Sequence, residues 1–160
     1  MPTVSIVVPS YKQGRYIRAT LDSVLSQDYR DLECIVIDGG STDETVDVLR
    51  SIEDPRLTWV SEPDRGQSHA INKGMLQASG QYLSYLNSDD VLRPGAVAAI
   101  VAFLESHPQA DLVYGDMEHI DAQGNVFPTV IGGPFNLAEL LAGGKTVNQA
   151  GTFWRRSVQD

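Results

Sequence analysis

Apolar residues along this chain change their period repeatedly through the first hundred positions, and each change marks a border between strand and helix. Val4 to Val8 is a short β-branched run closed by Pro9, the pattern of a buried parallel strand. Ile17, Leu21, Val24 and Leu25 then recur at helical spacing, which predicts an amphipathic helix between Gly14 and Gln27. A second apolar run, Leu32 to Ile37, predicts a second strand. Ser41 and Glu44 behind it have the spacing of a capping box, so a helix carrying Val46, Leu49 and Ile52 is expected to begin there. Leu57 to Val60 predicts a third strand. Ile71, Met75 and Ala78 share one face of a third helix, with Gly80 as its expected stop. Tyr82 to Leu86 is a fourth strand. Pro94 suits the first position of a fourth helix, whose inward stripe is Val97, Ile100, Val101 and Leu104 and which ends before Pro108.

Four strand-helix alternations predict an α/β fold: a mostly parallel sheet flanked by helices on both faces, joined by right-handed crossovers. From Asp111 the rhythm loosens. Leu112 to Tyr114 reads as another strand, and Met117 to Ile120 and Val126 to Thr129 flank the turn-like Asp121 to Asn125, predicting a small antiparallel hairpin on one edge. The tail, Phe135 to Leu141 and then Thr152 to Arg156, reaches Asp160 without a terminating signal. The chain is therefore expected to be the amino-terminal part of something longer.

At 160 residues the chain is long enough for one domain with a core of its own. A net charge of -9 repels polyanions in general, so nucleic acid is excluded as a partner and any phosphate must be met locally. Cys34, the single cysteine, lies inside the second apolar run and reads as a small core residue. The amino terminus lacks the basic flank and long apolar core of a secretion signal, and no apolar stretch approaches ~20 residues, so no integral membrane segment is expected. The reading is a soluble, cytoplasmic chain.

In such a sheet the loops after the strands gather on one rim, bringing Pro9 to Gly14, Asp38 to Thr42, Ser61 to Gly66 and Asn87 to Asp90 to one crevice. Neither the Gly-x-Gly-x-x-Gly fingerprint nor the P-loop is present, so phosphates must be held another way. Asp89 and Asp90, at the end of an apolar strand, suit a hard divalent cation shared with substrate phosphates; the competing reading is a solvated turn with a helix-capping aspartate. His69, His107 and His119 have no local zinc spacing and read as structural.

Val-Ser-Ile-Val-Val-Pro-Ser-Tyr at 4–11, Val-Ile-Asp-Gly-Gly-Ser-Thr-Asp at 36–43 and Leu-Asn-Ser-Asp-Asp at 86–90 together resemble family 2 glycosyltransferases of the GT-A fold. The resemblance covers nearly the whole chain and keeps the family's order of motifs. It implies a Rossmann-like GT-A domain over 1–160, truncated at its carboxyl end, with a nucleotide-binding half at 1–110 and the start of an acceptor-side half at 111–160. It further implies transfer of a sugar from a nucleotide-diphosphate donor to a saccharide or lipid-linked acceptor hydroxyl, with inversion and with Mg²⁺ or Mn²⁺, for polysaccharide or glycoconjugate synthesis. A lipid-linked acceptor would bring the protein to the inner membrane face.

Carried over by position, Pro9, Ser10 and Tyr11 match the loop lining the nucleotide, and Asp38 the acid that bonds the base. Asp64 and Gly66 match the loop beneath the nucleotide, and Lys73 is placed to reach the diphosphate. The family's Asp-x-Asp appears as Asn87-Ser88-Asp89. The metal role falls on Asp89, Asn87 and Ser88 remain nucleotide contacts, and Asp90 organises the turn. With an amide in place of the first acid, modest metal affinity is expected without nucleotide. The general base of the resembled family lies after a stretch like Asn148 to Arg156, beyond residue 160, and Asp116 is not expected to replace it, so the isolated chain is expected to bind donor and transfer poorly. Two rival readings are a non-catalytic nucleotide-binding module and a sugar nucleotidyltransferase. The second would want a glycine-rich basic loop after the first strand, where only Lys12 and Arg15 stand.

Overall fold

A computed structural model of the chain describes residues 3–131, 133, 135–143 and 147–159; Met1, Pro2 and Asp160, used above in reading the two ends, lie outside them. The element order is β1 (Val4–Ser10), α1 (Ile17–Leu25), β2 (Leu32–Asp38), α2 (Thr45–Arg50), β3 (Leu57–Ser61), α3 (Gln67–Gln77), β4 (Tyr82–Tyr85) and α4 (Ala96–Ser106), followed by β5 (Leu112–Tyr114), β6 (Met117–Ile120), β7 (Val126–Ile131), α5 (Leu137–Leu141) and β8 (Thr152–Arg155). One sheet runs in the order β3-β2-β1-β4-β8-β5. Its first four strands are parallel, and β8 is antiparallel to both neighbours. The mostly parallel sheet with helices on both faces is as expected from the rhythm of the sequence.

β1 is buried along its whole length because both faces are covered, which is why it reads as a run and not as an alternation. Val4, Ile6 and Val8 pack with Ile17, Leu21 and Val24 of α1, Leu49 of α2, and Val97, Val101 and Leu104 of α4. Val7 points the other way, with Ile35, Ile37 and Leu83, onto Ala70 and Met75 of α3. Each fully buried aliphatic side chain contributes roughly 1.5–3 kcal/mol. α3 lies so close to β1 that a Cβ on Gly74 would stand 2.3 Å from Val7 Cγ1.

Four details depart from the local sequence signals. α2 begins at Thr45, not behind Ser41, since the Ser41 hydroxyl is taken by Asp38; Asp43 instead accepts from Thr45 N–H (3.2 Å) and Thr45 Oγ1 (2.5 Å). α3 ends at Gln77. Gly80 is not its stop but a crossing point, where a Cβ would meet Ser5 N at 2.7 Å. α4 begins at Ala96, two residues after Pro94, with Gly95 in the left-handed region at φ 77°. The predicted hairpin forms as an antiparallel pair, β6 with β7, but as a separate two-stranded sheet.

β8 has no counterpart in the sequence reading. It slots between β4 and β5, pairing Leu83 with Trp154 and Leu112 with Trp154, and buries Phe153. The two arginines at its end donate to backbone carbonyls. Arg155 Nη2 donates to Leu104 O at 2.6 Å, and Arg156 Nε donates to Gly80 O at 2.8 Å.

Candidate functional site

The strand order places the chain's reversal between β1 and β4: β2 and β3 build outward on one side of β1, and β4 returns to the other. Open α/β sheets bind ligands at the carboxyl ends of strands at such a switch. A pocket of about 590 Å³ lies there, within the range of small-molecule sites. Pro9, Ser10, Tyr11 and Gln13 reach it from β1, Gly39 from β2, Pro63, Asp64, Gly66, Gln67 and Ala70 from the β3-α3 passage, and Asn87, Ser88 and Asp89 from β4.

The β1 loop is held by the next loop. Lys12 N–H donates to Ser41 Oγ (2.7 Å), Gln13 N–H to Thr45 Oγ1 (3.0 Å) and Gly14 N–H to an Asp43 oxygen (3.1 Å). Burial pushes the Asp43 carboxyl up, but these donors, led by the Thr45 hydroxyl, hold it below its ordinary value. Lys12 takes a positive φ of 55° in this strap, and the Tyr11 ring beside it is 57% exposed at the mouth of the pocket. Ser10 is the opposite case: it is only 5% exposed, and its Oγ has no hydrogen-bond partner among the described residues. An enclosed hydroxyl without a partner is uncommon, because burying one unpaired costs on the order of 1–3 kcal/mol.

Asp38 and Lys73 are not brought into the lining. Asp38 has no exposed surface, and its carboxylate accepts from Ser41 N–H (2.8 Å), Ser41 Oγ (2.5 Å) and Ser61 Oγ (2.6 Å). It therefore ties the ends of β2 and β3 to the β1 loop through Ser41. The Lys73 ammonium is paired with Glu62 Oε1, and this pairing holds the Glu62 carboxyl below its ordinary value. Asp64 does face the pocket. Its Oδ1 accepts from Gly66 N–H (2.7 Å), and its carboxylate lies against Gly39, where a Cβ would come 3.0 Å from Oδ2. Gly66, at φ 105°, begins α3, whose N-terminus no side chain caps. Uncapped N–H groups at a helix start favour an anion.

The β4 turn is anchored from far away. Gln27, just beyond α1, donates from Nε2 to Arg93 O (3.0 Å) and accepts from Val97 N–H (3.2 Å), capping α4 from outside, while Leu92 N–H donates to Ser23 Oγ (3.0 Å). Asp89 is exposed, and Asp90 is half-buried. Burial raises the Asp90 carboxyl above its ordinary value; the Asn87 amide partly offsets this and the neighbouring Asp89 charge adds to it. Asn87 Nδ2 donates to Asp90 Oδ2 (3.1 Å) and to Gln149 Oε1 (2.9 Å), and Asn87 Oδ1 accepts from Gln67 Nε2 (2.7 Å). Sequence reasoning missed Gln13, Gly39, Gln67 and Gln149. Neutral amides carry no charge signal, and only the fold brings residue 149 to residue 87.

No cluster of three acidic, histidine or cysteine side chains occurs among the described residues. Asp89 and Asn87, both in the pocket lining, carry oxygen donors, the type that hard divalent cations take. The histidines stay outside the pocket lining. His69 Nδ1 accepts from Arg65 N–H (3.3 Å), His107 stacks on Phe103 at 4.1 Å, and His119 is exposed on β6. Asp116 is exposed and outside the lining as well. No helix among the described residues is long and apolar enough to cross a membrane.

Comparison with known proteins gives one consistent result. The sequence pattern of "Glycosyl transferase family 2" matches residues 5–157. A PGL/p-HBAD biosynthesis glycosyltransferase of Mycobacterium tuberculosis is 35% identical over 161 residues, covering 98% of this chain and 60% of that protein. Escherichia coli chondroitin synthase is 32% identical over 143 residues, covering 88% of this chain and 21% of that one. The chain thus spans less than two thirds of the curated relatives it matches. Among solved structures, S. aureus TarS 1-349 in complex with UDP-GlcNAc superposes with a TM-score of 0.76 at 21% identity, over 97% of this chain and 45% of that one. A mannosyltransferase from Pyrobaculum calidifontis in complex with GDP-Man and Mn²⁺ gives 0.72 at 24% identity, over 98% and 45%. At these identities the structural likeness speaks for the fold, which is that of GT-A glycosyltransferases.

Proposed function

Given that this chain belongs to glycosyl transferase family 2, we propose that its rim pocket binds a nucleoside-diphosphate sugar and presents the sugar to an acceptor hydroxyl, with a divalent cation and inversion at the anomeric carbon. The observation that carries this reading is the enclosed, unpartnered Ser10 Oγ in a pocket at the topological switch.

Each residue has a role its chemistry suits. The exposed Tyr11 ring packs on the planar base, and Asp64, held by Gly66 N–H, accepts from a base or ribose donor. Pro9 and Gly39 allow close approach, and Ser10 bonds the nucleoside. Asp38 supports the base end from beneath, through Ser41 and Lys12. The uncapped start of α3 faces the diphosphate, with Ser88 and Asn87 opposite. Asp89 and Asn87 would hold Mg²⁺ or Mn²⁺, which when bound neutralises charge on the leaving diphosphate. The acceptor oxygen attacks as the bond from the anomeric carbon to phosphate oxygen breaks. Its proton goes to a carboxylate acting as general base.

A binding module without transferase activity is the second reading. What favours it is that Asp64 and Asp89 are the only carboxylates in the lining among the described residues, and both are given to the sugar-nucleotide in the first reading. Titration of UDP and GDP with Mn²⁺, followed by thermal unfolding, tests the common ground. A ligand at ~100 times its dissociation constant adds about 2.7 kcal/mol, and a chain that no nucleoside diphosphate stabilises would refute both. Donor hydrolysis or transfer then separates the enzyme from the module.

A further inference from the structure

Asn87 takes the place of an acid in the resembled motif, and the hydrogen bonds around it give the amide a purpose. The sequence Tyr85, Gln149, Asn87, Gln67 is a relay with a direction. It starts at Tyr85 O, a backbone carbonyl that can only accept. Gln149 Nε2 donates to it at 2.6 Å, so the Gln149 amide has one orientation and its Oε1 faces Asn87. That oxygen can only accept in turn, which requires Asn87 to present Nδ2 at 2.9 Å. The second Nδ2 proton goes to Asp90 Oδ2 at 3.1 Å. Both amide protons are thereby spent on the inner side, and Oδ1 is left facing outward, accepting from Gln67 Nε2 at 2.7 Å with a second lone pair to spare.

We propose that Gln149 is a positioning residue of the donor site: by reading the Tyr85 carbonyl it sets the direction of the Asn87 carboxamide, so that Asn87 presents oxygen beside Asp89 to a cation or ribose hydroxyl. Gln149 touches neither. It acts through Asn87, from a segment that follows the separate hairpin and leads into β8, so the acceptor-side half of the chain completes the donor pocket. The relay also explains why an acid does not belong at 87. A carboxylate there would meet Gln149 Oε1 and Asp90 Oδ2 with no proton to give either, three acceptors converging on one point. The inference rests on the donor-binding reading for what the oxygen is used for, but not for the relay itself.

Two measurements separate these. First, in the ¹⁵N-labelled chain the Asn87 side-chain amide protons are expected to exchange slowly with water, and Gln149→Met, which keeps the volume but not the bonds, is expected to speed that exchange by about tenfold or more, the equivalent of one lost hydrogen bond. Unchanged exchange overturns the relay, whether or not nucleotide binds. Second, the dissociation constant of UDP or GDP is measured with and without Mn²⁺. Gln149→Met is expected to weaken the Mn²⁺-dependent part about tenfold while leaving metal-free binding within about twofold. A drop in melting temperature alone, with the Mn²⁺ dependence intact, reduces Gln149 to a structural residue and overturns the inference while the proposed function stands. Should wild type bind neither nucleotide while Gln149→Met speeds the amide exchange, the proposed function fails and the relay stands. Asn87→Asp decides the matter if Gln149→Met does not fold. Weaker Mn²⁺-dependent binding supports the relay, and tighter binding, as a simple count of charges would give, refutes it.

Discussion

One aspartate closes β2 and another follows β4, two parallel strands of the same sheet, and the protein treats them oppositely. Asp38, closing β2, is wholly enclosed, with two hydroxyls and a backbone N–H on its carboxylate. Asp89, after β4, is exposed and, among the described residues, accepts no side-chain hydrogen bond. The cause lies in their neighbours. β2 is flanked along its full length by β1 and paired to β3 as far as Asp38 itself, so Ser41 and Ser61 close over it. β4 is paired with β8 only at Tyr82 and Leu83, which leaves the carboxyl end of β4 open on that side for Gln149 and the pocket. An aspartate at or beyond a strand end thus becomes an enclosed joint or an exposed pocket-lining group according to how far the next strand follows.

The contrast can be broken by substitution, and stability tells the two aspartates apart. Asp38→Ala strands two serine hydroxyls and an N–H in an enclosed place, and a loss of about 3 kcal/mol in urea unfolding is expected, since bonds to charged groups carry 1.5–3 kcal/mol each. A loss below about 1 kcal/mol would mean that Asp38 is not a joint. Gly74→Ala drives a methyl into Val7 across the α3-β1 contact, for a loss of roughly 1–3 kcal/mol. Because α3 carries Gly66 and Gln67 into the pocket, weaker nucleotide binding should accompany it.

A third aspartate, Asp54 at the opposite end of the sheet, sharpens the comparison through pH. The Arg56 guanidinium, which donates to it at 2.8 Å, holds its carboxyl below the ordinary value. A carboxyl lowered by folding stabilises above its unfolded value of about 3.9, and that stabilisation is lost as pH falls through the lower, folded value. Since the pair is partly exposed, Asp54→Asn is expected to cost about 0.5–1 kcal/mol at pH 7, shrinking toward zero at the acid end of that window. Unfolding curves at several pH values check it. Asp89→Ala closes the series, with stability unchanged to within about 0.5 kcal/mol and the Mn²⁺-dependent gain from nucleotide abolished. If Asp89→Ala proves as destabilising as Asp38→Ala, the division between joint and ligand position fails.

Much of the stretch 1–110 was legible because its signals are local. Val4–Val8, Leu32–Ile37 and the Ile17-Leu21-Val24 stripe are apolar where burial requires it, and the periods of strand and helix follow directly. The loops at the strand ends were legible too, since a parallel sheet puts them on one rim whatever their chemistry. What could not be read is whatever depends on a partner far along the chain. Pro94 reads as a helix start until Gln27, seventy residues away, supplies the cap for Val97. β8 is short, polar at its end, and a strand only because β4 and β5 stand on either side of it.

Periodicity and residue type therefore suffice for the parallel sheet, the faces its helices cover and the rim where a ligand meets it, because each follows from which side chains must leave water. The tertiary structure alone decides which rim groups remain available to that ligand. Asp38 is spent, Lys73 is paired, Ser10 is left wanting, and Asn87 is turned outward by Gln149. Hydrogen bonds are directional and each donor or acceptor has few of them to give, so availability is settled only when every neighbour is in place.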